Sequence, residues 1–458
     1  LARKICKNKE LKREYIRKYD LDGGMVKAEL VPITQDNIQT AVELWTSDHE
    51  NATRIYGNIS DWDVSNVNNM SNLFKYSTFN EDLNKWDVSN VNNMESMFES
   101  TTIFNEPINK WNVSNVNNMK NMFNSSRSFN QDINTNTQDV NSNGTNYIAW
   151  DVSNVINMEG MFASTKVFNK PINKWNVSGV NNMKNMFRYS NKFNEDINTQ
   201  LVDDIPETNY IAWDVKNVTN MESMFANTTV FNKPINKWNV SNVTNMKNMF
   251  SVSISFNEDI NTQDVDDIPG TNYIAWDVSN VINMEGMFAS TGVFNQPINK
   301  WNVSKVNNMK NMFSYSHSFN EDINTQDVDD IPGTNYTAWD VSNVTNMKNM
   351  FRSTDDFNKP INKWNVSGVN NMESMFRFAE SFGEDNKTNF LFTNTMNSSN
   401  IELKYPFNTI TVKYLKEFAK KDEDRIIEVF RQDAGEEQLV DAHHISHEET
   451  HLYFILEH

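Results

Sequence analysis

Near its C-terminal end the chain reads His447-Glu448-Glu449-Thr450-His451. On a helix, H-E-x-x-H places two imidazoles on one face to hold Zn²⁺, with Glu448 as general base. Three features weigh against that chemistry. Glu449 brings a charge into the middle of the motif, the following Leu-Tyr-Phe-Ile-Leu favours a strand, and little chain remains before His458 for a third ligand. Casual metal binding by His443, His444, His447 and His451 suits the segment better than catalysis. A second candidate is a series of acidic stretches carrying Asp203 and Asp204, then Asp264, Asp266 and Asp267, then Asp327, Asp329 and Asp330. Carboxylates are the right hard ligands for Ca²⁺, but the glycine-and-aspartate loop of a calcium-binding repeat is missing. A solvated acidic edge is the expectation. No catalytic residue and no cofactor are expected. Asp264, Asp266, Asp267 and Tyr273, with Asp327, Asp329, Asp330 and Tyr336, are the residues expected to meet a partner.

What positions these stretches is a repeat. From Trp62 the tryptophans fall at 86, 111, 150, 175, 213, 238, 276, 301, 339 and 364, in steps that alternate between about 25 and about 38 residues. A period in that range marks stacked repeats, each too small to bury its own apolar face. The shared frame is W-[DN]-V-S-N-V-x-N-M-x-x-M-F, a short variable polar stretch, then F-N-x-x-[IL]-N. In the unit around Trp238, Ile235 to Val240 nearly alternates apolar and polar residues, as a short strand does. Val243, Met246, Met249 and Phe250 share one face of a helix, with Ser241 or Thr244 as N-cap. Phe256-Asn257 and Ile260-Asn261 form a return segment. Pro107, Pro171, Pro234, Pro297 and Pro360 stand there in the short units, where a turn or edge tolerates them. Stacking would pile Trp on Trp, Met on Met and Phe on Phe. The asparagines would form ladders that satisfy backbone groups at tight corners. Two Met and one Phe per unit also suit a Met-rich groove, but their internal face makes them core.

Four units are longer, by inserts at 135–149, 199–212, 262–275 and 325–338. From Trp150 to Trp213, Trp276 and Trp339 the pair of units repeats every 63 residues. Each insert turns at Ile-Pro-Gly or a similar sequence and reads as a loop or small hairpin on one side of the stack. At strand spacing, inserts on alternate units recur about every 10 Å.

The net charge of −19 argues against non-specific nucleic-acid binding by the repeat body. No apolar run approaches a membrane span. A single cysteine, Cys6, rules out an internal disulfide. Five segments follow. Residues 1–30 are a basic arm suited to an acidic partner surface such as a neighbouring capsid or surface-layer protein. Residues 31–60 hold a capping helix with Ile38, Ala41, Val42 and Trp45 on one face. Residues 61–382 carry eleven repeats, 383–400 are a linker, and 401–458 are a C-terminal α+β module or cap.

The repeated frame, with its lead-in Tyr56-Gly57-Asn58-Ile59-Ser60-Asp61-Trp62-Asp63-Val64-Ser65, resembles the BspA-like surface-protein repeat, a leucine-rich-type repeat of about 25 residues. The resemblance spans roughly 36–382 and is broken regularly by the inserts. It implies an α/β repeat solenoid, a right-handed leucine-rich-repeat-like stack of strand-plus-helix coils, and a role in surface contact or adhesion. It transfers no catalytic residue. The expected function is a non-enzymatic scaffold on a cell or virion surface that binds protein or glycan, without nucleic acid as a partner and without a membrane span. A structural spike, spacer or cement role in a large DNA virus particle or surface layer is the alternative.

Overall fold

The computed structural model describes residues 30–138, 146–206 and 208–383, with Asn386 and the segments 409–412 and 452–455. The basic arm, the linker and most of the C-terminal segment lie outside the described residues, and so does the H-E-x-x-H sequence. Two short strands from the C-terminal region pair antiparallel, Thr409–Val412 with Leu452–Ile455.

The described chain is a tandem-repeat fold entered through two helices, α1 (Ile38–Ser47) and α2 (His49–Tyr56). Ile38, Ala41, Val42 and Trp45 are all buried, as their spacing predicts. Asp48 caps α2 by accepting from the Asn51 N–H. The seal on the first repeat is chemical as well as steric. The Gln35 side-chain amide accepts from the Asn68 and Asn69 N–H groups and donates to the Asn69 carbonyl at 3.0 Å. It thereby stands in for the backbone of a repeat that is not there. Trp45 meets Trp62 edge-on at 5.9 Å and joins the cap to the core.

Beyond Trp62 the expected strand-plus-helix unit is not what forms. Within 62–383 the described residues contain no helix, and Ile235 to Val240 is not a strand. Successive repeats instead meet through one-residue parallel bridges, from Asn69 with Asn93 through to Asn346 with Asn371. After each bridge comes a run of turns. Met246, Asn248, Phe250 and Val252 donate forward to carbonyls of the next repeat at 2.8–3.0 Å. Between them Met249, Ser251 and Ser253 donate three residues back within their own repeat. Half of the backbone is thus satisfied across the repeat boundary, which an α-helix does not allow. Every such run also needs two left-handed residues. Asn72, Ser96, Asn121, Gly160, Asn185, Ser223, Asn248, Gly286, Asn311, Asn349 and Ser374 fill the first site with φ between 53 and 62°. These are residues that tolerate or prefer φ > 0. At Gly160 a Cβ would also strike the Asn121 side chain at 2.2 Å. Ser241 and Thr244 cap nothing. The Ser241 hydroxyl donates to the Asn239 side chain, and that of Thr244 to the Thr219 carbonyl.

The apolar positions are nevertheless the core. Val243, Met246, Met249 and Phe250 are fully buried, and one continuous cluster runs from Ile33 to Phe382. Phenylalanines stack from repeat to repeat, as in Phe98–Phe123 at 5.6 Å and Phe225–Phe250 at 5.6 Å. Tryptophans do the same, as in Trp213–Trp238 at 6.1 Å. From Trp111 to Trp364 each indole donates to a carbonyl of an earlier repeat, Trp238 to Ile197 at 2.9 Å, so its polar atom is satisfied on burial. The Phe-Asn asparagines form the expected ladder. The side chain of Asn194 accepts from the Asn232 N–H, that of Asn232 from Asn257, and that of Asn257 from Asn295, at 2.8–2.9 Å.

Candidate interaction surface

The inserts are two-stranded antiparallel hairpins: β1 (Asn136–Gln138) with β2 (Tyr147–Ala149), β3 (Gln200–Ile205) with β4 (Thr208–Ala212), β5 (Gln263–Val265) with β6 (Tyr273–Ala275), and β7 (Gln326–Val328) with β8 (Tyr336–Ala338). Alternation sets their faces. In the third hairpin Val265 and Ile268 turn inward and are buried against the shared core. Its turn is closed by Thr271 donating to the Ile268 carbonyl, with Pro269 and a left-handed Gly270 between, the residues that a type II turn takes.

These hairpins are latched down rather than held out. The Tyr273 hydroxyl donates to the Lys237 carbonyl, and the Gln263 amide to the Asn236 carbonyl at 2.9 Å. Asp267 pairs with the Lys237 ammonium at 2.6 Å. Tyr336, Gln326 and Asp330 repeat the same contacts on Lys300 and Asn299. Tyr210, Gln200 and Asp204 repeat them on Lys174 and Asn173. Burial pushes the Tyr210, Tyr273 and Tyr336 phenols up to about 12, an effect that the threonine hydroxyl of the preceding hairpin partly offsets. The neighbouring lysine holds the Asp330 carboxyl below its ordinary range.

The eight predicted contact residues therefore divide. Tyr273 and Tyr336 are half-buried latches, and Asp267 and Asp330 are exposed but engaged in ion pairs. Asp264, Asp266, Asp327 and Asp329 remain on the open side of the hairpins, with Asp327 accepting from the Thr337 hydroxyl. Among the described residues no three His, Cys, Asp or Glu side chains gather as a metal set.

A second outward feature escapes a reading that looks only at what the repeats share. Directly after the bridging Asn-Met, successive repeats carry Glu95, Lys120, Glu159, Lys184, Glu222, Lys247, Glu285 and Lys310. Acid and base alternate, and they pair across repeat boundaries. Lys184 meets Glu222 at 3.0 Å, and Lys247 meets Glu285 at 3.0 Å. The tenth repeat breaks the order with Lys348, which turns to Glu373 at 2.6 Å. Nearby, the second left-handed site of each run is half-buried or buried where it holds a small residue or Val252, and exposed where it holds an aromatic ring. Most repeats place Ser or Asn there, but Tyr76, Tyr189, Tyr315 and Phe378 intervene, each with a cation over its ring: Lys75, Arg188, Arg352 and Arg377. Laying the repeats one under another would have exposed both features.

The repeats match, five times in tandem, the family described as Mycoplasma protein of unknown function, DUF285, over residues 45–147, 138–211, 200–274, 270–337 and 332–409. The chain belongs to that family. Three of the family's matches, beginning at 138, 200 and 270, keep step with the hairpin-bearing pairs of repeats. No curated protein and no solved structure matches the chain. Within the described residues no helix is long and apolar enough to cross a membrane.

Proposed function

We propose that the repeat array is a non-enzymatic interaction scaffold displayed on a surface, engaging protein or glycan partners by many weak contacts along its length. We infer too that the array is a right-handed, leucine-rich-repeat-like solenoid of the BspA-like type, built from stacked turns. The observation that carries the proposal is the division of labour within each repeat. Trp, Met, Phe, Val and Ile occupy buried, interchangeable positions, while the differences between repeats lie at solvent-facing sites on hairpins and on the Glu/Lys row. Repetition of weak sites raises avidity without any strong single contact.

The test is removal of one pair of repeats, residues 213–275, followed by binding of the labelled protein to intact cells or particles of its source. Loss graded with the number of pairs supports the scaffold. Binding indifferent to the number of pairs removes the array from the contact surface.

A further inference from the structure

The last three repeats gather on one outward strip what earlier repeats carry singly, as Lys75 with Tyr76 and Arg188 with Tyr189. Repeats four, six and eight read Met-Glu-[Gly/Ser]-Met-Phe-Ala, with Ala163, Ala226 and Ala289 at the sixth place. The tenth repeat puts Lys348 in place of the Glu and Arg352 in place of the Ala, and the eleventh adds Arg377 and Phe378. The substitutions land together. The Tyr315 N–H donates to the Arg352 carbonyl and the Ser353 N–H to the Arg377 carbonyl, so the three repeats are hydrogen-bonded neighbours. Arg352 lies over the Tyr315 ring at 5.6 Å and Arg377 over Phe378 at 4.8 Å. Tyr315 is 42% and Phe378 50% exposed.

The aromatic choice is not required by the fold. Tyr315 has φ 60° and Phe378 φ 61°, where equivalent repeats hold Ser100, Ser125, Ser164, Ser290 and Ser353. A bulky residue in that region is an outlier that costs stability. A strained, exposed ring beside a guanidinium has the composition of a protein-binding hot spot. On a chain of net charge −19, a strip carrying Arg352 and Arg377 attracts acidic protein. Flanking Asp355, Asp356 and Glu380, with His317 held to Asp355 at 2.7 Å, would repel a continuous polyanion. They favour an occupant with discrete carboxylates.

The same chain presents such an occupant. Asp264 and Asp266 on one hairpin, and Asp327 and Asp329 on the next, are exposed and lie two repeats apart. Tyr315 and Phe378 are likewise two repeats apart, about 10 Å at strand spacing. We propose that the Tyr315/Arg352/Arg377/Phe378 strip of one molecule docks on the acidic hairpin edge of a second copy. The contact joins two different surfaces, so each added copy leaves one of each open, and growth continues in a chain. Attraction through exposed charges makes the association salt-sensitive.

Sedimentation velocity of the full chain over a concentration series, at low and high salt, tests this. The strip replacements come from residues that equivalent positions already hold, which guards the fold: Arg352→Ala and Arg377→Ala with Phe378→Ser; on the hairpins, the exposed Asp266→Asn and Asp329→Asn remove charge without changing shape. Wild-type protein should form a concentration-dependent series of oligomers that high salt reverses. Each variant set should weaken association at least about tenfold, equal to about 1.4 kcal/mol. An equimolar mixture of the two variants should recover a dimer and nothing larger, because one intact surface of each kind remains. A wild-type chain that stays monomeric throughout, variants that associate as wild type does, or a mixture that stays monomeric would each overturn the proposal.

Discussion

The interior of the stack and the hairpins laid over it are held by different physics. Inside, every repeat lends half of its turn hydrogen bonds and both faces of its aromatic rings to its neighbours. No repeat is complete alone. A hairpin is completed locally, by two buried apolar side chains, a tyrosine hydroxyl, a glutamine amide and one ion pair on the repeat it closes. The difference teaches where damage travels. Loss in the interior is felt on both sides of the lesion, whereas loss in a hairpin stays where it is made.

The harshest way to break that contrast is Trp238→Ala. The indole is fully buried, bonded to the Ile197 carbonyl and stacked on Trp213. The expected cost is about 3–5 kcal/mol. Hydrogen exchange should accelerate in the repeats before and after it. Protection lost only between 238 and 260 would mean that the repeats are independent after all. Next comes replacement of residues 262–275 by one lysine, which turns a long repeat into a short one. Burial of Val265 and Ile268 is lost, but so is the ordering of the insert and the left-handed backbone of Trp276 at φ 51°. These oppose one another, and thermal unfolding should report a net change within about 2 kcal/mol. Global unfolding would make the hairpins part of the framework.

Smaller effects sharpen the comparison. Tyr273→Phe removes one hydroxyl latch and should cost about 1 kcal/mol, read as faster exchange confined to β5 and β6. The same phenols predict a pH dependence. Their folded pKa of about 12 lies above the ordinary value of 10.0. Their contribution is therefore fully present below pH 10 and lost as pH rises toward 12. Denaturant unfolding at pH 8 and pH 11 should differ, with Tyr273→Phe narrowing the gap. Phenolate absorbance should show a late-titrating group. Last, Asp267→Asn breaks an ion pair whose carboxylate is exposed and whose lysine is half-buried. Its effect should stay within about 0.5 kcal/mol and vanish in high salt.

Much of this was legible in the sequence, and the misses have causes. The Trp period and the buried Val, Met, Phe and Ile positions follow from spacing alone, and so does the cap helix with Trp45 on its inner face. The strand-plus-helix unit does not survive because Val243, Met246, Met249 and Phe250 satisfy a helical face and a run of stacked turns equally well. What separates the two is the second of the two residues that follow the first methionine. It is Asn, Ser or Gly in every repeat, the signature of a left-handed backbone rather than of a helix interior. The insert positions and their Ile-Pro-Gly turns are plain in the sequence. Nothing in Asn-Tyr-Ile-Ala says that the tyrosine faces inward, since its partner is a main-chain carbonyl that no side-chain pattern records. The Glu/Lys row and the Arg-aromatic strip were visible in principle, but only as differences between units that otherwise look alike.

The alternation of Glu and Lys along the stack gives the molecule a parity. Adding or removing two repeats returns acid to base at every boundary, whereas a single repeat sets like beside like, as already happens between Lys310 and Lys348. There the two lysines find relief in opposite directions, one in Glu285 and the other in Glu373. A lineage that lengthens this protein by copying is thus nudged to count in even numbers.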